Sequence, residues 1–477
     1  MSIEIRIGLE IHCQLTKLNS KLFCPCNSDY RDMKPNTNIC PICIGLPGTL
    51  PRINKKAIEY AAMISVALGC NIPEKISFDR KNYFYPDLQK NFQITQYESY
   101  GNDTCLGKNG LVKYDEEKEV RIRRIQLEED PGRLVYENVN TSKSYTLIDY
   151  NRSGIALVEI VTEPDFKDPK EVRIFLNKMS SILEHLNVCN TSLEGSVRCD
   201  ANISIGQGKK VEIKNVGSFK DVEKALTYEI TRQKTMNLHD IEVKAETRHW
   251  DDKRKTTKGA RSKEGEEDYR YFQEPDIPII TLTDLQNKLN MPELPDERRL
   301  RFIKNYGLSQ HVSQVLINNK IFADLFEEAI EIYNSPKSVS NWIVSDLMGL
   351  VDTETLDKKI KTGEIKINAK HIAELAKIVD SNLINRNSGK DILMKIIKTG
   401  ELPSEIIQEG KILKIQDKDK ILEIVEKVFE IEKNAVFDSQ KNPNAANFLL
   451  GKVMQLTKGK ADPKLSLDLI KKKLERY

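Results

Sequence analysis

Four cysteines are the first residues whose types and spacing could do chemistry. The stretch "FCPCNSDYRDMKPNTNICPICIG" holds Cys24, Cys26, Cys40 and Cys43 as C-x-C, thirteen residues, then C-x-x-C. Its second half, "CPICIG", has the proline and glycine of a zinc knuckle, in which backbone N–H groups approach the thiolates. Four thiolates suit a closed tetrahedral Zn²⁺ site. The first pair is one residue tighter than usual, and unpaired structural cysteines or an iron–sulfur site are the competing readings. A site filled by four protein ligands holds a loop and performs no catalysis. Zinc ribbons often touch nucleic acid, so RNA contact is a secondary expectation.

The second candidate is the stretch "RIGLEIHCQL", which places Glu10 and His12 two residues apart. Ile3, Ile5, Ile7, Leu9 and Ile11 alternate with polar residues, the period of a strand with one face in a core. Glu10 and His12 then point the same way, roughly 7 Å apart. Such a pair could share a metal ion or could be a solvated pair on a sheet surface. Other segments add acids in the same phase: Glu128 in "RIQLEED", Asp200 in "SVRCDANISI", Glu212 in "KVEIKNV" and Glu159 in "GIALVEIVTEPD". A face carrying Glu10, His12, Glu128, Asp200 and Glu212 repels itself unless cations sit there. Oxygen-rich sites suit Mg²⁺ or Mn²⁺, and the histidine tilts slightly toward Mn²⁺. Lys81, Lys90, Arg152, Arg198 and Lys214 are the basic residues that could hold phosphates. Together they outline a metal–nucleotide platform on a sheet, set against a water-facing sheet with ordinary charge pairs.

The elements that must position these residues follow from the pattern along the chain. Strand-like segments at 3–15, 120–128, 155–161, 197–205 and 210–216 are interleaved with helical pieces at 54–69 and 168–187. This predicts an α+β domain on a largely antiparallel sheet. The proline-rich "EPDIPIITLTDLQNKLNMPELPDERR" forms its exit linker, and helical periodicity dominates afterwards, with a second break at 399–410. The expected domains are 1–292, 293–403 and 404–477. At 477 residues the chain has room for about three domains. A net charge of +3 does not announce nucleic-acid binding, so any such surface must be local. The sequence has no apolar run long enough to span a bilayer and no signal or transit segment. The other five of the nine cysteines lie in hydrophobic contexts. With an odd total and no secretion signal, the expected setting is a reducing cytoplasm.

Absent motifs narrow the chemistry. "GNDTCLGKNG" has Gly–Lys but is one residue too long for a P-loop, and Asn109 stands where Ser or Thr is needed. There is no G-x-G-x-x-G, G-x-S-x-G or H-E-x-x-H, and the cysteines lack the His-x-Glu partner of a zinc deaminase.

Several segments, in order from residue 8 to residue 463, together resemble the GatB family, the B subunits of aspartyl/glutamyl-tRNA(Asn/Gln) amidotransferases. They are "GLEIHCQL", "CPICIGLPGTLP", "KNYFYPDLQKNFQITQY", "LEEDPGR", "DYNRSGIALVEIVTEPD", "GSVRCDANIS", "VEIKN", "DYRYFQEPDIP" and "FLLGKVMQLTKGKADP". The resemblance implies a cradle domain with glutamine-synthetase-like metal logic, a helical domain and a small YqeY-like tail. It implies ATP-dependent activation of the side-chain carboxylate of Glu on tRNA(Gln) or Asp on tRNA(Asn), followed by attack of ammonia to give the amide. Ammonia would come from a partner amidase A subunit, and a small C subunit would clamp the pair. Glu10, His12, Glu128, Asp200 and Glu212 would then ligate the metals, with Glu129, Asp130 and Glu159 as competitors. Lys81, Lys90, Arg152, Arg198 and Lys214 would contact phosphates or the acyl group, and the tail would grip tRNA. Gln89, Asn91, Ile155, Ala156, Pro131, Arg133, Tyr136 and Gln273 depart from the family pattern, which touches loop geometry more than chemistry. The related E subunit, with its large insertion, and a non-catalytic RNA-binding scaffold are the alternatives.

Overall fold

The computed structural model describes residues 4–97, 104–137, 145–260, 266–283, 285–352, 356–410, 418–438, 445–457 and 461–475. The first three residues of the P-loop look-alike (101–103), three residues of the last quoted motif (458–460) and the side chain of Tyr136 lie outside this description. The chain forms two compact units, Met1–Arg298 and Arg299–Tyr477.

The strands of the first unit are β1 (Ile5–Gln14), β2 (Lys75–Ile76), β3 (Asp79–Asn82), β4 (Phe92–Thr95), β5 (Gly107–Lys113), β6 (Glu119–Glu129), β7 (Arg133–Glu137), β8 (Tyr145–Asp149), β9 (Ala156–Thr162), β10 (Val197–Ile205), β11 (Val211–Lys214), β12 (Glu246–Asp251), β13 (Thr256–Gly259), β14 (Phe272–Gln273) and β15 (Ile280–Thr281). Eight of them make one sheet in the order β13-β12-β11-β10-β1-β9-β6-β5. Every neighbouring pair is antiparallel except β11 with β12. The α+β class and the antiparallel bias expected from the alternation are therefore present.

β1 lies near the middle of the sheet, and its alternation decides which face is which. Ile7, Leu9, Ile11 and Cys13 are fully buried on one side. That side is covered by α1 (Lys55–Ala67), α2 (Pro169–His185) and α3 (Phe219–Leu238), whose apolar residues join the same core. Each helix starts on a side-chain cap: Asn54, Asp168 with Glu171 in a capping box, and Ser218. The polar residues of β1 are left to the opposite face. There the register sets Glu10 beside Asp200, and His12 between Arg198 on β10 and Glu159 on β9. Gln126 on β6 stands beside Glu159, which puts Glu128, two residues on, on the same face. A second, three-stranded sheet, β14-β3-β4, packs by way of β4 against β6 and carries Lys81 and Thr95.

Among the described residues, the regular elements of the second unit are helices. One core gathers Phe322, Phe326, Trp342, Ile372 and Leu393, and a separate one gathers Val425, Leu449, Val453 and Ile470. The helix Arg386–Thr399 ends on Gly400 at φ +75°, the left-handed stop that glycine permits.

Candidate functional site

His12, Glu128 and Glu159 come together on the polar face. His12 Nε2 is 3.8 Å from Glu128 Oε1 and 4.0 Å from Glu159 Oε1. One donor atom from each lies within 4.8 Å of the others, spacing that one cation could bridge. Glu128 is buried and accepts from Thr95 Oγ1 at 3.1 Å. Burial and the neighbouring Glu159 push its carboxyl up to about 7, against the pull of His12 and Lys81. Burial and the adjacent carboxylate thus oppose the charge of Glu128, and a bound cation would offset both. Two carboxylates and one imidazole are a donor set that fits Mg²⁺ or Mn²⁺.

The other acids of this face have a different companion. Lys214 Nζ is 3.3 Å from Asp200 Oδ2 and 3.3 Å from Glu212 Oε1. Burial opposes its charge, yet Asp200, Glu212 and Glu10 outweigh burial and hold its pKa above the ordinary lysine value. Asn202 Nδ2 donates to Glu10 Oε1 at 2.9 Å, and Thr247 Oγ1 donates to Glu212 Oε2 at 2.9 Å. Of the five expected metal ligands, the fold therefore gathers His12 and Glu128 with Glu159, and gathers Glu10, Asp200 and Glu212 around Lys214.

The expected phosphate-binding cations also divide. Arg198 and Arg152 both reach Asp130, at 3.0 and 3.9 Å, and Arg152 donates to the carbonyls of Pro131 and Gly132. Burial of Asp130 would raise its pKa, but Arg198 and Arg152 overcome this and hold it below the usual carboxylate value. Lys81 Nζ sits 4.6 Å from the ring centre of Tyr269 and 5.8 Å from that of Tyr83, while its charge reaches Glu128. Cation–π contact fixes the ammonium without spending its hydrogen bonds. Lys90 is paired with Glu129 instead. That pair lines a cavity of about 300 Å³ with Cys24, Cys43, Arg80 and Phe92, whose walls do not include His12, Glu128 or Glu159.

The four cysteines converge as their spacing suggested. One sulfur from each of Cys24, Cys26, Cys40 and Cys43 lies within 4.8 Å of the others. The Cys40 N–H points at Cys43 Sγ at 3.1 Å, and Gly45 turns the backbone at φ +71°. Lys21, fully buried, donates to the Asn38 carbonyl at 2.9 Å and reaches Cys43 Sγ at 3.6 Å. A hydrogen bond from the Cys24 thiol, then the Cys40 amide and Lys21, push Cys43 down to about 5 against burial, while Cys24 is pushed up. Thiolate character at a closed four-sulfur cluster fits a structural metal.

Three residues of these candidate sites had weak or no signals in the sequence. Glu159 was a competitor only, because one strand's phase does not say which neighbour it meets. Lys21 looks like a surface lysine and becomes a buried counter-charge. Arg31, in the cysteine loop, reaches Gln14 Oε1 at 2.7 Å, a pairing separated by a turn that no periodicity predicts.

The chain matches the GatB/GatE catalytic domain over residues 5–287 and the GatB domain over residues 324–474. It is similar to the B subunit of the aspartyl/glutamyl-tRNA(Asn/Gln) amidotransferase of Saccharolobus solfataricus, 46% identical over 98% of this chain and 99% of that protein. The corresponding B subunits of Sulfurisphaera tokodaii (46% identical; 98% of this chain, 99% of that one) and Thermotoga maritima (43%; 98% of each) are similar to it as well. The chain belongs to the GatB family of amidotransferase subunits. No helix among its described residues is long and apolar enough to cross a membrane.

Proposed function

We propose that this chain is the acyl-activating subunit of a glutamine-dependent tRNA amidotransferase, acting on Glu-tRNA(Gln), Asp-tRNA(Asn) or both. The observation that carries the reading is the His12–Glu128–Glu159 cluster, three donor atoms within 4.8 Å of one another in which burial and Glu159 raise the Glu128 carboxyl. A bound Mg²⁺ or Mn²⁺ would neutralise phosphoryl oxygens and orient the ATP chain. His12, Glu128 and Glu159 would hold it. Lys81, positioned by its tyrosines, and Arg198, beside His12, would bind phosphoryl or acyl oxygens. Arg152 would brace the same wall, Lys90 the neighbouring cavity. Glu10, Asp200 and Glu212 would keep Lys214 charged as a fixed cation or, with Lys214 displaced, take a second metal ion.

In the reaction, a carboxylate oxygen of the acyl group attacks the γ-phosphorus of ATP, and ADP leaves. Ammonia then adds to the acyl-phosphate carbonyl; phosphate and a proton leave, and the amide remains. Ammonia would arrive from an amidase A subunit, with a small C subunit completing the assembly and the tail holding the tRNA body largely by shape and phosphate contacts. Little covalent chemistry is asked of the protein, in keeping with the absence of a nucleophile motif.

The test supplies the assembled enzyme with Glu-tRNA(Gln) or Asp-tRNA(Asn), Mg²⁺ and γ-labelled ATP, without glutamine or ammonia. Labelled acyl phosphate or tRNA-dependent phosphate release is expected from wild type and not from Glu128→Gln or His12→Ala. Release that persists in both variants removes the metal assignment. No release from wild type with either substrate points to a tRNA-binding scaffold. Separately, metal analysis should find about one zinc per chain, lost in Cys40→Ser. Iron with sulfide would turn the four cysteines into a cluster site.

A further inference from the structure

The thirteen residues between Cys26 and Cys40 reach the polar face of the sheet. Arg31 Nη2 donates to Gln14 Oε1 at 2.7 Å and to the Glu194 carbonyl at 3.2 Å, and its guanidinium lies 4.9 Å from the Tyr30 ring centre. Gln14 is buried and stands two residues after His12 on the same face of β1. Its Nε2 donates to Asp130 Oδ2 at 2.6 Å, and Asp130 holds Arg198 and Arg152. Three guanidiniums thus meet in one network built on a single buried carboxylate. Arg198 is also the cross-strand neighbour of His12, so the network borders the metal-type cluster.

Two donors of this network are unmet. The Nε of Arg31 and the Nε of Arg198 are buried and have no hydrogen-bond partner among the described residues. Buried N–H groups without acceptors are costly, and a guanidinium directs its five donors in one plane at planar or tetrahedral oxyanions. The acids near the group include Asp130, Asp87 beside Arg152, Asp200 beside Arg198, the last also held by Lys214, and Asp29, which accepts from the Arg31 N–H at 3.4 Å. Arg31 is in no ion pair among the described residues.

The loop that carries Arg31 is itself tied down. The Asn36 N–H donates to Asp149 Oδ1 at 3.0 Å, the Tyr150 N–H to Asn36 Oδ1 at 2.7 Å, and the Asn38 N–H to Asn151 Oδ1 at 2.8 Å. These bonds stitch it to the turn that bears Arg152. Asn36 takes φ +57°, a left-handed conformation asparagine tolerates.

We propose that Arg31, with Arg198 and Arg152, forms an oxyanion clamp beside His12, and that the cysteine loop is the arm that places Arg31 in it. The ligand is an oxyanion of the reacting pair: the side-chain carboxylate of the acyl group or the terminal phosphoryl group of ATP. This inference rests on the acyl-activation reading.

The test uses the assembled enzyme with Glu-tRNA(Gln), Asp-tRNA(Asn) and ATP. Arg31→Ala raises the KM for aminoacyl-tRNA about tenfold if the clamp holds the carboxylate, and the KM for ATP about tenfold if it holds the phosphoryl group. Arg31→Lys restores only part of the loss, because an ammonium lacks the planar fork. Both KM values within twofold of wild type overturn the clamp. Inactivity of the wild type in tRNA-dependent phosphate release overturns the underlying activation reading instead. Cys40→Ser should reproduce the Arg31→Ala shift, and the double variant should add nothing further. Additive losses overturn the arm. Asn36→Ala, which removes the side-chain bonds to the Tyr150 N–H and the Ile148 carbonyl without touching the cysteines, makes the same comparison if Cys40→Ser does not fold.

Discussion

Two groups of acids share one face of one sheet, and the protein treats them in opposite ways. Glu10, Asp200 and Glu212 surround Lys214, which the chain supplies for them. Glu128 and Glu159 lie beside the imidazole of His12, with Thr95 donating to Glu128 and Lys81 acting on it through its charge, and burial together with Glu159 drives Glu128 toward its protonated form. The lesson is that acid count on a sheet face is a poor guide to a metal site. A missing internal counter-charge is a better one, because a buried carboxylate without a partner has a large unmet electrostatic demand.

The contrast is sharpest in activity. Glu128→Gln keeps the shape and the Thr95 contact but removes a donor charge, and tRNA-dependent phosphate release should fall more than about 10²-fold. Glu212→Gln leaves Lys214 with Asp200 and Glu10, and the same assay should change less than about tenfold. Equal losses would break the distinction between the two groups.

Stability should separate them next. The folded pKa of Glu128, about 7, lies above its ordinary 4.5. Such an acid costs nothing below its unfolded value and an increasing amount as pH rises from there to its folded value. Without divalent cations, wild type should therefore lose stability between pH 4.5 and 7, by an amount on the order of 3 kcal/mol from this group. Glu128→Gln should show that much less decline in a urea titration series. Parallel pH curves for the two proteins would mean that Glu128 is ionised without penalty, and the case for an imported cation would lose its electrostatic basis.

Much of this arrangement was legible in the sequence, and the reasons are local. Alternation in β1, β6, β9, β10 and β11 identified the polar face, since a period of two leaves each residue one choice of side. The four cysteines announced themselves by spacing, and their sulfurs do converge. What alternation cannot carry is strand order. Glu159 joins His12 because β9 lies directly beside β1, whereas Asp200 and Glu212 lie on the other flank with Lys214. Lys90 follows Glu129, which the pleat sends away from Glu128, so a cation read as a phosphate contact belongs to the cavity by the cysteines. Lys21 and Arg31 were illegible for a third reason. Their partners, Cys43 and Gln14, are brought to them by irregular loop segments, where no period relates residue type to direction.

Lys214 offers the finest test of the comparison. Lys214→Met keeps most of the packing of the stem but leaves Asp200, Glu212 and Glu10 facing one another. With 38% of the Lys214 side chain exposed, water screens part of that repulsion. The expected loss is about 1–2 kcal/mol, below the roughly 3–5 typical when a fully buried pair is broken. The variant should also acquire a dependence on divalent ions that wild type lacks at this group: millimolar Mg²⁺ should recover part of the lost thermal stability, because the nest now resembles the His12 cluster in lacking an internal cation. If Glu212→Gln is added, one of the repelling charges goes and both the loss and the Mg²⁺ response should shrink. A Lys214→Met protein as stable as wild type, and indifferent to Mg²⁺, would show that solvent rather than the lysine neutralises these acids. The two halves of the face would then differ in burial alone.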